Sequence, residues 1–174
     1  MSDKKGIKIF GDKAVSAIVH EYEQLDRLNV FEPIHGKSLT YLQRSNTLNA
    51  INLIKEKRCG KIKGRTVADG RKQRHFYSKF ETSSPALSLE AFFGTLAIDA
   101  AEERQIAIVD VTGAFLKADM DDFVIVKLQG PAIKALMKIN KNKYKDFVIK
   151  NKEEEVLYAK LLKAMYETLK APLL

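Results

Sequence analysis

With 174 residues and 45% apolar composition, the chain can build one ordinary domain with a real core but not two of average size. Charged residues make up 30% of it, and its longest apolar runs, Ile106 to Val111 interrupted by Asp110 and Phe123 to Val126, fall far short of the ~20 residues that a bilayer helix needs. The basic start MSDKKGIKIFGDK has no apolar leader segment behind it, and Cys59 is the only cysteine, so neither secretion nor a disulfide framework is expected and a reducing intracellular compartment fits best.

In chain order, Ala14, Val15, Ile18, Val19, Tyr22 and Leu25 recur at helical spacing and predict an amphipathic helix from Asp12, its N-cap, to Leu28. Residues 1–11 before it are expected to be disordered. Pro33 and Gly36 break the chain after a short Val30-Phe31 stretch, and a second helical segment is expected from Ser38 through Tyr41, Leu42, Leu48 and Ala50. Two mixed runs about Cys59-Gly60 predict a β-hairpin within Ile51 to Asp69. Ser84-Pro85 punctuates, and Ser88 to Arg104 is the clearest helix, with Ser88 as N-cap, Glu90 in the first turn and a sheet expected beneath it. Ile106 to Val111 predicts a buried strand, Phe123 to Leu128 another, and Phe147 to Lys150 with Val156 to Ala159 a hairpin about Glu153-Glu154-Glu155. Helices and strands in this order give an α+β fold.

The net charge of +8 is concentrated. Lys55 to Lys79 holds Lys55, Lys57, Arg58, Lys61, Lys63, Arg65, Arg71, Lys72, Arg74 and Lys79 against Glu56 and Asp69, a net of +8, which leaves the rest of the chain neutral. A basic block on a hairpin reads either as a contact for nucleic acid or nucleotide phosphate, or as a solvated turn.

Asp110 is the chemistry candidate, because a carboxylate in an apolar strand is costly unless a cation such as a divalent metal compensates it. Ending the strand as a cap for Thr112-Gly113 is the plainer reading. Asp119, Asp121 and Asp122 follow on a short connection, where aspartates usually serve as solvated turn residues. His20, His35, His75 and Cys59 lack the spacing of a zinc site, and there is neither a phosphate-binding Gly-x-x-x-x-Gly-Lys loop nor a Gly-x-Ser-x-Gly elbow. Asp110-Val111-Thr112-Gly113-Ala114 is similar to the Asp-x-Thr-Gly motif of haloacid-dehalogenase-like phosphotransferases, whose first Asp is a nucleophile.

A longer resemblance covers the chain from about Ala14 to its C-terminus. Glu32-Pro33, Lys63-Gly-Arg-Thr-Val-Ala-Asp-Gly70, Ser84-Pro85, Ile108-Val-Asp-Val-Thr-Gly-Ala-Phe-Leu-Lys-Ala-Asp-Met-Asp121 and Lys163-Ala-Met-Tyr-Glu-Thr-Leu-Lys-Ala-Pro172 resemble, in order and spacing, the front part of copia-type retrotransposon reverse transcriptases. That family reads roughly F-E-P, K-A-R-L-V-A-K-G, S-P-V, Q-x-D-V-x-x-A-F-L-x-G-D-L-x-E-x-V-Y-M and A-L-Y-G-L-K-Q-A-P. The resemblance implies a fingers and incomplete palm architecture, with residues 12–87 as fingers, 88–174 as the first part of the palm and adjoining fingers, and RNA-directed DNA polymerisation as the activity of the parent polyprotein.

It also implies roles. Asp110 would be the first carboxylate ligand of two Mg²⁺ ions and the Val111 carbonyl a further oxygen ligand, since Mg²⁺ is a hard cation. Phe115 would pack under the sugar of a dNTP and exclude a ribose hydroxyl; Arg65 and Lys63 would hold the triphosphate, the fork of Arg65 meeting phosphate oxygens bidentately. Lys170 belongs to the last motif and would contact the nucleotide. The other hairpin cations would hold an RNA or DNA template-primer through its phosphates.

Two departures bear on activity. Glu167-Thr168-Leu169-Lys170 stands where the family has Gly-Leu-Lys-Gln, and no Tyr-x-Asp-Asp occurs, Tyr144-Lys145-Asp146-Phe147 having one Asp. The expectation is a fragment or decayed copy, in a cytoplasmic particle or the nucleus, whose partners would be the remaining palm, thumb and ribonuclease H and which is inactive alone, because one carboxylate cannot hold two metals against their repulsion. The alternatives are a non-catalytic nucleic-acid-binding module and, behind it, the Asp-nucleophile phosphotransferase.

Overall fold

The computed structural model describes residues 1–78, 80–83, 86–111, 113–151 and 154–172. Its fold is α+β, built on one mixed sheet. The strands are β1 (Phe31–Ile34), β2 (Leu48–Glu56), β3 (Ile62–Ala68), β4 (Ile125–Gln129), β5 (Ile149–Asn151) and β6 (Glu154–Leu161), ordered β1-β6-β4-β2-β3 with β5 also on β6. The β2–β3 hairpin forms where the sequence predicts it, and β5–β6 pairs as predicted except that Glu154 and Glu155, expected in the turn, stand in β6 opposite Asn151 and Lys150; Glu153 lies outside the described residues. Gly60 takes φ 74° at the first turn, a conformation that L side chains resist. β1 and β2 pair with β6 and β4, so strands from both halves of the chain share one sheet.

Helix α2 (Asp12–Arg27) lies on this sheet and buries Ala14, Ile18, Glu21, Tyr22 and Leu25. Its N-cap is Gly11 rather than Asp12, which sits inside the first turn and favours the positive helix end by charge alone. Residues 1–11, expected to be disordered, hold helix α1 (Asp3–Phe10). The cause is a vacant stretch of β2. β4 pairs with β2 only at Leu48 and Asn49, and beyond that the Met1 ammonium donates to the Ile54 carbonyl (2.9 Å) while the Ile54 N–H donates to the Met1 carbonyl (2.8 Å).

The second expected helix shrinks to α3 (Tyr41–Asn46), started by a Thr40–Gln43 capping box. Leu48 and Ala50 belong to β2, because strand pairing offers Leu48 a buried place that helix continuation would not. A helix that the sequence reading missed, α5 (Pro131–Tyr144), packs beside α2 and buries Ala132, Ile133, Ala135, Leu136 and Tyr144. Its signal was present in Gly130-Pro131, a proline at a helix first turn. Across the seam, Asp26 accepts from Lys143 Nζ (2.6 Å) and from the Tyr144 hydroxyl. Burial acts against its charge, but these two donors outweigh it and hold Asp26 below the usual carboxylate range.

Helix α4 (Leu89–Ala101) starts as expected, the Ala91 N–H donating to Ser88 Oγ (3.2 Å), but does not lie on the sheet. None of its residues is buried, and Phe92 and Phe93 are exposed. The expected buried strand Ile106 to Val111 is likewise not one: Ile108 is 97% exposed, and none of the described strands pairs with it. The segment is apolar enough for a core, but a strand also needs a neighbour for its backbone groups. No helix of the described residues is long and apolar enough to cross a membrane.

Backbone approaches backbone closely where α2 crosses β3. A Cβ on Gly64 would stand 2.6 Å from the Ala17 carbonyl oxygen, so only glycine lets the helix sit at this depth. Gly64→Ala, which strand propensity alone would favour, should therefore destabilise the chain by about 2 kcal/mol through overpacking. Urea denaturation checks this, and an unchanged midpoint would show that the approach is not needed.

Candidate functional site

The hairpin has two chemically distinct faces because side chains alternate along a strand. Asn52, Ile54, Gly64 and Thr66 turn toward α2, where Asn52 Oδ1 accepts from both the Tyr22 hydroxyl (3.0 Å) and Thr66 Oγ1 (3.2 Å) in a buried network. Leu53, Lys55, Lys63 and Arg65 occupy the other face, with Leu53 opposite Arg65 and Lys55 opposite Lys63. Like charges placed directly across a strand pair repel. With Lys57 and Met1 these residues border a cleft of about 610 Å³ that no acidic residue lines. An anion with several negative oxygens would relieve the repulsion that the cleft builds in.

Not all of the basic block is without a protein partner. Arg71 is held bidentately by Asp69 (2.8 and 2.7 Å), and Lys72 Nζ donates to the Ser45 and Thr47 carbonyls (2.8 and 3.1 Å) at the end of α3. Lys55, Lys57, Arg58 and Lys61 make no ion pair among the described residues and are exposed. Lys79 lies outside the described residues.

Arg65 meets the C-terminal part of the chain. Its guanidinium carbon lies 4.3 Å from the centre of the Tyr166 ring, and Tyr166 in turn meets Phe115 edge-on, ring centres 5.5 Å apart at 82°. Three motif segments far apart in sequence thus converge on one stack. Tyr166 is fixed by its backbone, since its carbonyl accepts the outward N–H of Ala68 (2.9 Å) on edge strand β3. Phe115 sits on a 3₁₀ turn, Ala114–Lys117, entered through Gly113 at a left-handed φ of 66°.

The aspartates of the acidic connection after this turn stay largely solvent-exposed, as its sequence suggests, but each also meets a lysine. Asp119 pairs with Lys163 (2.6 Å), and Lys170 with Asp121 (2.6 Å) and Asp122 (3.3 Å). Asp121 holds the Lys170 ammonium above its ordinary range. Asp122 also accepts from the Tyr77 hydroxyl (2.5 Å), whose pKa is pushed up to about 12 by burial and by this bond. Lys170, expected to contact a nucleotide, is thus committed to Asp121 and Asp122.

Asp110 is exposed, and Thr112 beside it lies outside the described residues, as does the Ser84-Pro85 motif. The Val111 carbonyl accepts the Ala114 N–H (3.2 Å). Two Mg²⁺ ions need several oxygen ligands, mainly carboxylates, gathered at one point. Among the described residues no three of His, Cys, Asp or Glu gather to hold a metal, and Asp119, Asp121 and Asp122 are engaged by Lys163 and Lys170. The donor set therefore does not fit a two-metal centre. The structure joins Arg65 to Phe115 and places Lys63 beside Arg65, but ties Asp110 and Lys170 to neither. Tyr166, Tyr77 and Lys163 are the residues that the sequence reading left without a role; Tyr166 stood inside a quoted motif, and that was its one signal.

No family model matches this sequence, and no curated protein or solved structure matches it either.

Glu21 ties this face to the core. The Thr66 N–H, on the outward edge of β3, donates to Glu21 Oε1 (3.0 Å). Burial raises the Glu21 pKa above its ordinary 4.5, against the opposing pull of that bond and of the Lys63 and Arg65 charges. Because the folded value is raised, Glu21 contributes stability below its unfolded pKa and loses it as pH rises through the folded one. Glu21→Gln keeps an acceptor for Thr66 and does not titrate. The variant should therefore gain on the native chain between pH 4 and pH 7, as urea midpoints of both would show; an equal gap at the two pH values would mean that Glu21 is not strained by its charge.

Proposed function

We propose that the chain is the fingers and first palm portion of a copia-type reverse transcriptase, a domain that holds nucleic-acid and nucleotide phosphates on its hairpin but does not by itself complete the metal centre of a polymerase. The observation that supports this reading most is the Arg65–Tyr166–Phe115 stack. Independent false matches have no reason to meet in space, whereas three motifs of one nucleotide site do. The Asp119–Lys163 and Lys170–Asp121 pairs join two of the same motif segments again.

The parent activity under this reading is RNA-directed DNA polymerisation, with a template-primer and dNTPs as substrates and Mg²⁺ as the metal, and the missing carboxylates would come from the rest of the polyprotein. A non-catalytic nucleic-acid-binding module is the second reading, favoured by the acid-free cleft at Lys55, Lys57, Lys63 and Arg65. Both readings place phosphate on the hairpin. They differ in catalysis only once the remaining carboxylates are supplied.

Binding to single-stranded RNA should weaken with salt. Each phosphate contact contributes ~0.7 to the slope of log affinity against log salt, so replacing Lys57, Lys61, Lys63 and Arg65 with Gln should flatten it by about 2 to 3. Arg71→Gln and Lys72→Gln should leave the slope unchanged, because Asp69 compensates Arg71 and two backbone carbonyls hold the Lys72 ammonium. Filter binding of monodisperse protein over a salt series reads both. Primer extension with dNTPs and Mg²⁺ should show no product for the chain or for Asp110→Asn. An undiminished slope in the fourfold variant removes the hairpin as the binding surface, extension that depends on Asp110 refutes the incomplete centre, and an acyl-phosphate on Asp110 after incubation with a phosphate donor selects the phosphotransferase.

A further inference from the structure

We infer that Tyr166 is a positioning residue that presents Arg65 to phosphate, an inference that rests on the phosphate-binding reading of Arg65 given above. The guanidinium is planar, with its five N–H donors in the plane and none on its faces. Stacking on the Tyr166 ring at 4.3 Å uses a face and leaves the donors unspent. None of them makes a hydrogen bond or an ion pair among the described residues, although Arg65 is exposed on a strand. Arginine alone on a surface strand samples many rotamers, and fixing one of them on binding an anion lowers affinity.

Tyr166 removes that loss. Its own position is determined twice, by the Ala68 N–H bond to its carbonyl and by the perpendicular contact of its ring with Phe115. The platform is therefore rigid and anchored to β3, the strand that carries Arg65. Lys63 lies two residues away on the same face, so an extended polyphosphate can meet an oriented fork and a point charge together. Neither composition nor spacing marks Tyr166 for this part, since an aromatic at that place serves equally as core.

The test uses the full chain and inorganic tripolyphosphate as the probe, with affinity read by calorimetry and folding by thermal melting. Arg65→Ala should lose about tenfold or more. Tyr166→Leu should lose about threefold to tenfold, and Tyr166→Phe, which keeps the ring, should restore affinity to within about twofold of the native chain. Arg65→Lys should lose about threefold or more in the native chain but less than about twofold in the Tyr166→Leu background, since a lost platform leaves nothing for the planar fork to gain; a merely structural tyrosine would give additive losses instead. Tyr166→Met, which fills the space without a π face, replaces the leucine variant if that one does not fold. Should neither fold, the native-background Arg65→Lys measurement decides, because native affinity there overturns the platform. If Arg65→Ala binds as tightly as the native chain, the phosphate reading of Arg65 fails. If Arg65→Ala loses affinity while Tyr166→Leu or Met keeps it, only the role of Tyr166 fails.

Discussion

The contact of α2 with edge strand β3 is the constraint from which the rest of the molecule follows. The Ala17 carbonyl meets β3 where Gly64 has no side chain, and the helix is thereby close enough for Tyr22 to reach Asn52 and for Glu21 to reach the Thr66 N–H. An edge strand exposes alternate backbone donors that invite pairing with another chain. Here Thr66 gives its donor to a helix carboxylate and Ala68 gives its donor to the Tyr166 carbonyl. The same two bonds that finish the sheet set the depth of α2 and the place of the C-terminal segment.

That closure has a functional consequence. With the α2 side of the hairpin filled by Asn52, Ile54 and Thr66, charged side chains can occupy only the opposite face, where Lys55 and Lys63 stand across from one another. Repulsion on one face is tolerable because a buried, fully bonded network holds the other. Arg65 sits where the hairpin face meets the Tyr166 anchor. The site is thus a by-product of how the edge is satisfied, and this is why it draws on three separated stretches of chain.

Much of this organisation is legible in the residues. The hairpin could be read from Gly60 between two mixed runs, and α2 from its apolar spacing, because both depend on neighbours a few positions away. α3 and β2 were confused because Leu48 and Ala50 suit either a helix or a strand, and only pairing with β4 and β3 decides. The order in α1 came from a vacant stretch of β2, which no local pattern announces. Ile106 to Val111 reads as core by composition, yet Ile108 and Val109 are exposed, since composition does not supply a partner. In the candidate site, Arg65 and Phe115 came from motif resemblance, but their connection through Tyr166 depends on a contact between distant segments. Lys170 shows the converse, because its motif suggested a ligand contact and its nearest acids, Asp121 and Asp122, take it instead.

The chain therefore combines a hairpin face lined by Lys55, Lys63 and Arg65 with an exposed Asp110 at which no metal-holding cluster gathers among the described residues. Both proposed readings rest on the hairpin, and the point to test is whether phosphate is bound at the stack or merely attracted by net charge. Amide chemical-shift mapping during titration with tripolyphosphate answers this directly. Shifts should concentrate at Lys63, Arg65 and Tyr166 and in the turn Ala114–Lys117, while the lysines of α5 stay still. Shifts spread evenly over the lysines of α5 and the hairpin alike, with Tyr166 and Phe115 unmoved, would contradict a built site and leave only a basic surface.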